Sequence, residues 1–354
     1  MSDQLADSAE RLFGGRIDKA LLHDAGEGRF PQALWDEVTE AGFTAALLPE
    51  EAGGFGATVT EAMRILQISA SFNAPLPLAE TMLAGWLLAK AGLPVPDGLL
   101  ALAPVRKTDA LTLAREGAGW QLSGTAQRVP WGRDAPTAVV LADGPDGAML
   151  ASVPLAGLVT AQDMNLAGEP RDTVSFDTRL PSDAVAPAPM TGEALRAAGA
   201  ALRTVQIAGA LSRALSVTVA YVQTRVQFGR PIGKFQAIQH NLAIMAGQSA
   251  AAIAAADMAT EALDEGLRTG KLPLLTVAAA KARAGEAASV AAGLAHQSHG
   301  AIGFTQEYEL HYATRRLWSW RDEFGNEAEW NGLVGRAALR AGGDGLWPLL
   351  TKFA

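Results

Sequence analysis

No cysteine occurs among the 354 residues, so disulfides and thiolate metal sites are excluded and the composition suits a reducing cytosol. Charge is sparse as well. Charged residues make up 19% of the chain against 49% hydrophobic, the balance of a folded protein rather than a disordered one. There is no basic run: the formal net charge is -8 with both signs interspersed, which disfavours nucleic acid as a partner. Residues 1–10 have neither a basic start nor an apolar core, so no signal peptide is expected. Ala-rich stretches such as Ala246–Ala256 read as too short and too interrupted to span a membrane. The expectation is a cytoplasmic protein without a membrane span, long enough to form more than one structural unit.

What is present is organised in three stretches. From Ser2 to about Gly92 the period is helical: Leu34, Val38 and Phe43 recur near helical spacing, and further helices are expected over Ala62–Ser71 and Ala79–Ala91. Between them, Pro49-Glu50-Glu51-Ala52-Gly53-Gly54-Phe55-Gly56 cannot continue a helix and reads as a loop. Its glycines follow no strand and lack a P-loop lysine, so they are read as structural. From Pro96 to Val185 short β-rich runs alternate with Gly, Pro and Asp, at Leu99–Ala103, Ala110–Leu113, Trp120–Leu122, Thr137–Ala142, Ala148–Val153 and Thr173–Phe176. From about Thr191 the helical period returns. Leu195, Ala198, Leu202, Val205, Ala208, Leu211 and Leu215 form one stripe, and Phe235, Ile238, Leu242 and Met245 the next. Ala and Leu dominate Leu274–Ala295, a tightly packed helix that the glycines from Gly293 onward should end; Leu310–Trp320 begins another. The expected class is α+β, mainly α: a helical domain over 1–95, a β-sandwich or barrel over 96–188 and a helical bundle over 189–354.

Between the two long stripes, Thr224–Met245 carries a Gly/Pro break at Phe228–Lys234, the mark of an antiparallel helix hairpin. Arg225, Gln227, Arg230, Lys234, Gln236 and Gln239 crowd long donors into it. On composition alone this is as readily a solvated hairpin tip.

Several motifs together resemble the acyl-CoA dehydrogenase family over nearly the whole chain. Pro49–Gly56 resembles its "PEExGGxG" segment. Arg225-Val-Gln-Phe-Gly-Arg-Pro-Ile-Gly-Lys-Phe-Gln-Ala-Ile-Gln resembles its long signature "RxQFGxPIxxFQxxQ". Gln297-Ser-His-Gly-Ala-Ile-Gly-Phe-Thr resembles "QxxGGxGFT", with Ala301 in place of one glycine. The resemblance implies a C-terminal four-helix bundle and FAD lying between the subunits of an oligomer. By the same carry-over Arg225 contacts the FAD diphosphate and Phe228 and Gln236 lie near the adenosine half. Gln297 and the backbone of Gly300 and Ala301 reach the same cofactor. A guanidinium fork suits phosphate oxygens, and glycine lets the backbone come close. Gln297 reads alternatively as a helix-terminal amide.

The sequence also departs from the family. Where members carry "TEPxAGSD" against the flavin ring, this chain reads Ala101-Leu-Ala-Pro-Val-Arg-Lys-Thr-Asp-Ala. Trp131 stands where the flavin-facing tryptophan is expected. The family's chemistry needs a carboxylate to remove the α-proton of an acyl thioester while hydride leaves the β-carbon. The usual glutamate precedes a glycine downstream of the "GF"; that position is Phe324, followed by Gly325. Glu323 and Asp322 are its neighbours, and either becomes the base after a local shift; both read alternatively as a solvated helix end. The other family location for the base, before an arginine on the long helix, holds Leu202 before Arg203. Trp318, Trp320 and Trp330 read as core or interface anchors. His296 and His299 have helical spacing but no third ligand, so no metal is expected.

Two functions follow from the resemblance. One is an FAD-dependent acyl-CoA dehydrogenase that forms a 2-enoyl-CoA and passes electrons to an electron-transfer flavoprotein. The other is a non-catalytic partner subunit, like the short subunits of heterotetrameric dehydrogenases acting on steroid or other bulky acyl-CoAs. Homo- and hetero-oligomer both remain open. A DNA-associated relative is disfavoured by the acidic balance.

Overall fold

The computed structural model describes residues 2–351. They form two compact units, one made of the residues up to Ile68 with Ala74–Gly199, the other of Ser69–Asn73 with the residues from Ala200 on.

The first unit begins with helices α1 (Ser2–Arg16), α2 (Lys19–Gly26) and α3 (Gln32–Glu40), followed by α4 (Val59–Ser71) and α5 (Leu78–Lys90). Local side chains fix where they start. Asp18 accepts the Leu21 N–H at 2.8 Å at the head of α2. At the head of α4, Thr58 and Glu61 bond reciprocally: Glu61 accepts the Thr58 N–H at 2.8 Å and Thr58 Oγ1 the Glu61 N–H at 3.2 Å. These bonds hold the Glu61 carboxyl below its ordinary value. In the expected loop, a Cβ on Gly54 would lie 1.8 Å from Leu48 O, so the chain there folds back too closely for any side chain.

The same unit contains one eight-stranded sheet, built from β1 (Leu100–Ala103), β2 (Leu111–Glu116), β3 (Gly119–Pro130), β4 (Thr137–Gly144), β5 (Gly147–Pro154), β6 (Val159–Ala161), β7 (Arg171–Leu180) and β8 (Val185–Pro187). Its order is β6-β7-β3-β2-β4-β5-β8, with β1 beside β4. β4 runs parallel to β1 and β2, and the other pairs are antiparallel. Each expected run lies in or next to a strand. β6 and β8, three residues each, were not foreseen, because so short a run carries no readable period.

The second unit holds most of α6 (Gly192–Thr224), then a two-stranded hairpin of β9 (Val226–Gln227) and β10 (Arg230–Pro231). Helices α7 (Gln236–Thr269), α8 (Leu274–His299), α9 (Leu310–Asp322) and α10 (Glu327–Thr351) follow, the last with a break at Gly342. α8 packs against α7, α9 and α10. Its contribution to the core is almost entirely alanine: Ala284, Ala287, Ala288, Ala291, Ala292 and Ala295 are buried with Leu211 and Val217 of α6, Met245 of α7, and Leu310, Leu317 and Trp320 of α9. Small side chains let helix axes approach to the short end of the usual 8–10 Å.

α8 ends within the expected Gly293–Phe304 stretch: it runs through Gly293 to His299, and Gly300, at φ +67°, is its cap. α10 was not anticipated. Ala246–Ala256 lies inside a 34-residue helix, so the argument from length against a membrane span fails: α6 and α7 are both long and apolar enough. The apolar window of α6 is 61% buried within the protein, as in a core helix, and that of α7 33%.

Packing on α8 predicts opposite signs for two substitutions. Ala288→Leu should destabilise by about 1–3 kcal/mol through overpacking. Gly293→Ala, at an exposed mid-helix site where a Cβ meets nothing within 4 Å, should stabilise by about 0.5–1 kcal/mol. Urea unfolding midpoints decide both.

Candidate cofactor and substrate site

The hairpin is held from below. α6 closes with the Arg225 N–H bonded to Tyr221 O, and the Ile232 N–H returns to Arg225 O at 2.8 Å. Phe228 sits at the tip with φ +52° and 92% of its surface exposed. Phe235 meets its ring edge-on at 6.1 Å, and the Arg230 guanidinium covers Phe235 at 4.2 Å. An exposed aromatic braced in a left-handed conformation is a presented residue rather than a frayed one.

Tyr221 ties this end of α6 to the end of α8. Its ring stacks on His299 at 4.4 Å and its hydroxyl donates to His299 O at 3.3 Å. Arg225 follows Tyr221 by one helical turn, and Gln297 precedes His299 by two residues. The structure thus brings Arg225, Phe228, Gln297, Gly300 and Ala301 to one end of the bundle. Arg225, Gln236 and Gln297 are exposed, and among the described residues their side chains have no hydrogen-bond partner. Of the Gly300 backbone, expected to reach the cofactor, the N–H bonds His296 O as the cap of α8. What that glycine supplies is its conformation.

Trp131 belongs to the other unit and is buried. Its backbone N–H donates to Pro170 O at 3.0 Å, and its ring meets Phe30 edge-to-face at 5.8 Å. Beside it the Arg133 guanidinium pairs with Asp172, which is fully buried. Asp134 keeps one buried oxygen without a partner, and its pKa rises to about 6, chiefly by desolvation. Trp131 is packed as a core residue here.

The end of α9 carries the remaining candidates. Asp322 is exposed and lies 3.8 Å from Arg321 Nε, a weak surface contact. Glu323 leaves the helix in an extended conformation, and its side chain is only 12% exposed. Its Oε2 accepts the Arg203 Nε–H at 2.7 Å, while the Arg203 Nη1–H donates to Gln206. Phe324, at the position of the family's base, is buried with φ +56° and lies under the same guanidinium at 5.5 Å.

Lys281 fixes this turn from α8. Its Nζ donates to Arg321 O at 2.6 Å and to Gly325 O at 2.9 Å, and the Trp330 indole N–H also reaches Gly325 O, at 3.2 Å. Burial lowers the Lys281 pKa to about 8, with Glu327, Glu323 and Asp322 opposing the shift. Sequence reasoning passed over Lys281. The available signal was a lysine among alanines, two residues before Arg283, in Val-Ala-Ala-Ala-Lys-Ala-Arg-Ala. Among the described residues no group of three or more His, Cys, Asp or Glu could hold a metal ion.

Comparison with known proteins agrees with this layout. Residues 2–94 match the profile "Acyl-CoA dehydrogenase, N-terminal domain" and residues 197–327 match "Acyl-CoA dehydrogenase, C-terminal domain". The acyl-CoA dehydrogenase IpdE2 of Mycobacterium tuberculosis is 32% identical over 306 residues, covering 85% of this chain and 84% of the relative. The chain belongs to the acyl-CoA dehydrogenase family. Among solved structures, the "Tcur3481-Tcur3483 steroid ACAD G363A variant" superposes with a TM-score of 0.84 at 25% identity, over 96% of this chain and 98% of that one. The ChsE4-ChsE5 complex of Mycobacterium tuberculosis gives 0.83 at 23%, over 96% and 97%, and speaks for the fold alone.

Acyl-CoA dehydrogenases are oxidoreductases, and FAD is the cofactor the family implies. The donors present fit one half of it. Arg225 offers a planar fork and Gln297 an amide, both unpaired, as a diphosphate requires. The ring half is not matched: the "TEPxAGSD" donors are missing, and Trp131 is packed against Phe30.

Two expectations concern the α9 turn. Arg203→Leu should destabilise by roughly 3 kcal/mol, because Glu323 keeps a charge without its partner, while Arg203→Leu with Glu323→Leu should recover most of that. Denaturant unfolding of both variants checks it. For Lys281 the folded pKa lies below the unfolded value of 10.5, so between about 8 and 10.5 the unfolded chain binds more protons and stability rises with pH. Relative to Lys281→Met, the unmodified chain should gain about 2 kcal/mol between pH 7.5 and 9.5 in the same assay.

Proposed function

We propose that this acyl-CoA dehydrogenase chain is one of two unlike subunits of an FAD-dependent enzyme, and that the other subunit supplies the base. The observation that carries this is the α9 turn. A base for the α-proton needs a carboxylate with a free lone pair, pre-positioned away from water. Phe324 stands at that position, and the carboxylate beside it is engaged by Arg203 at 2.7 Å, a charge-assisted bond that opposes proton uptake. Glu323 serves as base only if it leaves Arg203 and abandons a buried guanidinium, a costly step.

What the chain keeps is the binding end. Arg225 and Gln297 would hold the diphosphate of FAD, with Phe228 and Gln236 on the side of its adenosine half. Bound in the assembly, FAD would supply the acceptor for the hydride that leaves the β-carbon of the acyl thioester. An electron-transfer flavoprotein takes the electrons on, as the family implies. Likeness to a steroid acyl-CoA dehydrogenase at 25% identity supports a bulky, ring-bearing acyl-CoA as substrate. Cysteine-free composition supports a cytoplasmic location.

The test is one purification series. The chain alone should be colourless, and co-expression with an acyl-CoA dehydrogenase chain that carries the glutamate should yield a yellow complex. Arg225→Ala should lower the flavin content of that complex at least tenfold. A yellow chain that acyl-CoA bleaches by itself, with bleaching abolished by Glu323→Gln, would show instead a self-sufficient enzyme.

A further inference from the structure

The last turn of α8 contains two imidazoles, His296 and His299, each 5% exposed. Aromatic rings flank both. His296 stacks on Phe304 with ring centres 4.2 Å apart and on Trp318 at 5.4 Å. His299 stacks on Tyr221 at 4.4 Å, with Tyr308 tilted against it at 5.0 Å. Through these rings the α8 terminus is tied to the end of α6, to α9 and to the one-turn segment Gly300–Phe304.

Each imidazole uses only one nitrogen. His299 Nδ1–H donates to Ala295 O at 2.8 Å, and its Nε2 is buried without a partner. His296 Nε2 meets Thr314 Oγ1 at 2.8 Å. Its Nδ1 is buried and unpartnered beneath Gly303, where an added Cβ would come within 3.3 Å of it. A neutral ring tolerates an idle acceptor. An imidazolium there carries an N–H with no acceptor and a charge without a counterion, which is far costlier.

The surroundings offer no relief. The groups acting on His296 are His299 on its own helix and His311 on α9; Thr314, Trp318 and Phe304 are neutral. Around His299 stand Tyr221 from α6 and Tyr308 ahead of α9, and the nearby Glu309 carboxylate is paired with Arg213 at 2.6 Å. Burial pushes both imidazoles below the ordinary histidine value, and for His296 its two histidine neighbours push further. The negative end of α8 favours a cation, but that surface-scale effect is smaller than the burial of an unpaired charge.

We propose that His296 and His299 are positioning residues that hold the Gln297–Phe304 segment in register with the end of α6, and that acid releases this segment by protonating them. The segment is the element free to yield: Phe304 and Gly300 are exposed, whereas the alanine face of α8 upstream is fully packed. The functional consequence rests on the proposed contact between Gln297 and FAD, and would be loss of flavin on acidification.

Hydrogen exchange on the purified chain tests the positioning. Protection factors over residues 297–308 should fall at least tenfold between pH 7.5 and pH 5, with α8 upstream unchanged. In the His296→Phe, His299→Phe double variant, which keeps the rings and cannot titrate, the fall should vanish. Imidazole proton shifts in NMR give a measure independent of any variant, and two of the five histidines should titrate below the ordinary histidine range. A pH-independent segment, an equal fall in the double variant, or five histidines titrating normally would overturn the proposal. Flavin content of the co-expressed complex at the same two pH values separates it from the functional reading. A segment that opens at pH 5 while flavin is retained would sink the Gln297 contact and leave the positioning role standing.

Discussion

An ammonium group buried against an alanine face constrains much of the second unit. α8 is lined with alanine, which draws its neighbours close and leaves no water to solvate Lys281. A buried cation without acceptors is not tolerated, so carbonyls must be brought to it. They come from Arg321 and Gly325, and α9 stops between them, at Asp322. The chain reversal before α10 is therefore fixed by the need to satisfy Lys281 as much as by its own glycine.

That clamp accounts for the strain beside it. Phe324 adopts φ +56°, which costs a bulky residue on the order of 1–3 kcal/mol. Burying its ring returns roughly 2 kcal/mol, and Lys281 and Trp330 hold the flanking carbonyl of Gly325. The Arg203–Glu323 pair adds little net stability, since a buried ion pair is often no better than an apolar one. Its effect is positional: it directs Glu323 at Arg203 and places the Phe324 ring beneath the guanidinium.

How much of this the sequence disclosed follows from what a sequence can encode locally. The helix stripes, the β-rich runs and the Phe228–Lys234 break are patterns of neighbours along the chain, and the structure reproduces them. The motifs that carry Arg225 and Gln297 are equally local, one in the hairpin and one at the end of α8, so each residue could be singled out from its own neighbours. The α9 turn is different. Lys281, Arg203 and Glu323 are far apart along the chain, and no spacing rule says that a lone lysine among alanines will cap the helix carrying Glu323. Trp131 shows the same limit: its position in the motif is readable in the sequence, but its edge-on packing against Phe30 is not. Within the Gly293–Phe304 stretch it is Gly300 that caps α8, because Gly293, on the exposed side of a well-packed helix, need not break it.

The two ends of the bundle therefore carry opposite signatures. At the hairpin end, the side chains of Arg225, Gln236 and Gln297 are exposed and without a hydrogen-bond partner among the described residues, and Phe228 is held out at the tip. At the α9 turn the polar groups examined as candidates are largely satisfied internally: Glu323 by Arg203, and Lys281 by two carbonyls. A catalytic carboxylate needs the first kind of environment, with unused hydrogen-bonding capacity aimed at a ligand. Here that capacity lies with Arg225 and Gln297 and not with Glu323. The division of labour proposed for this chain follows from where its hydrogen-bonding groups remain unspent.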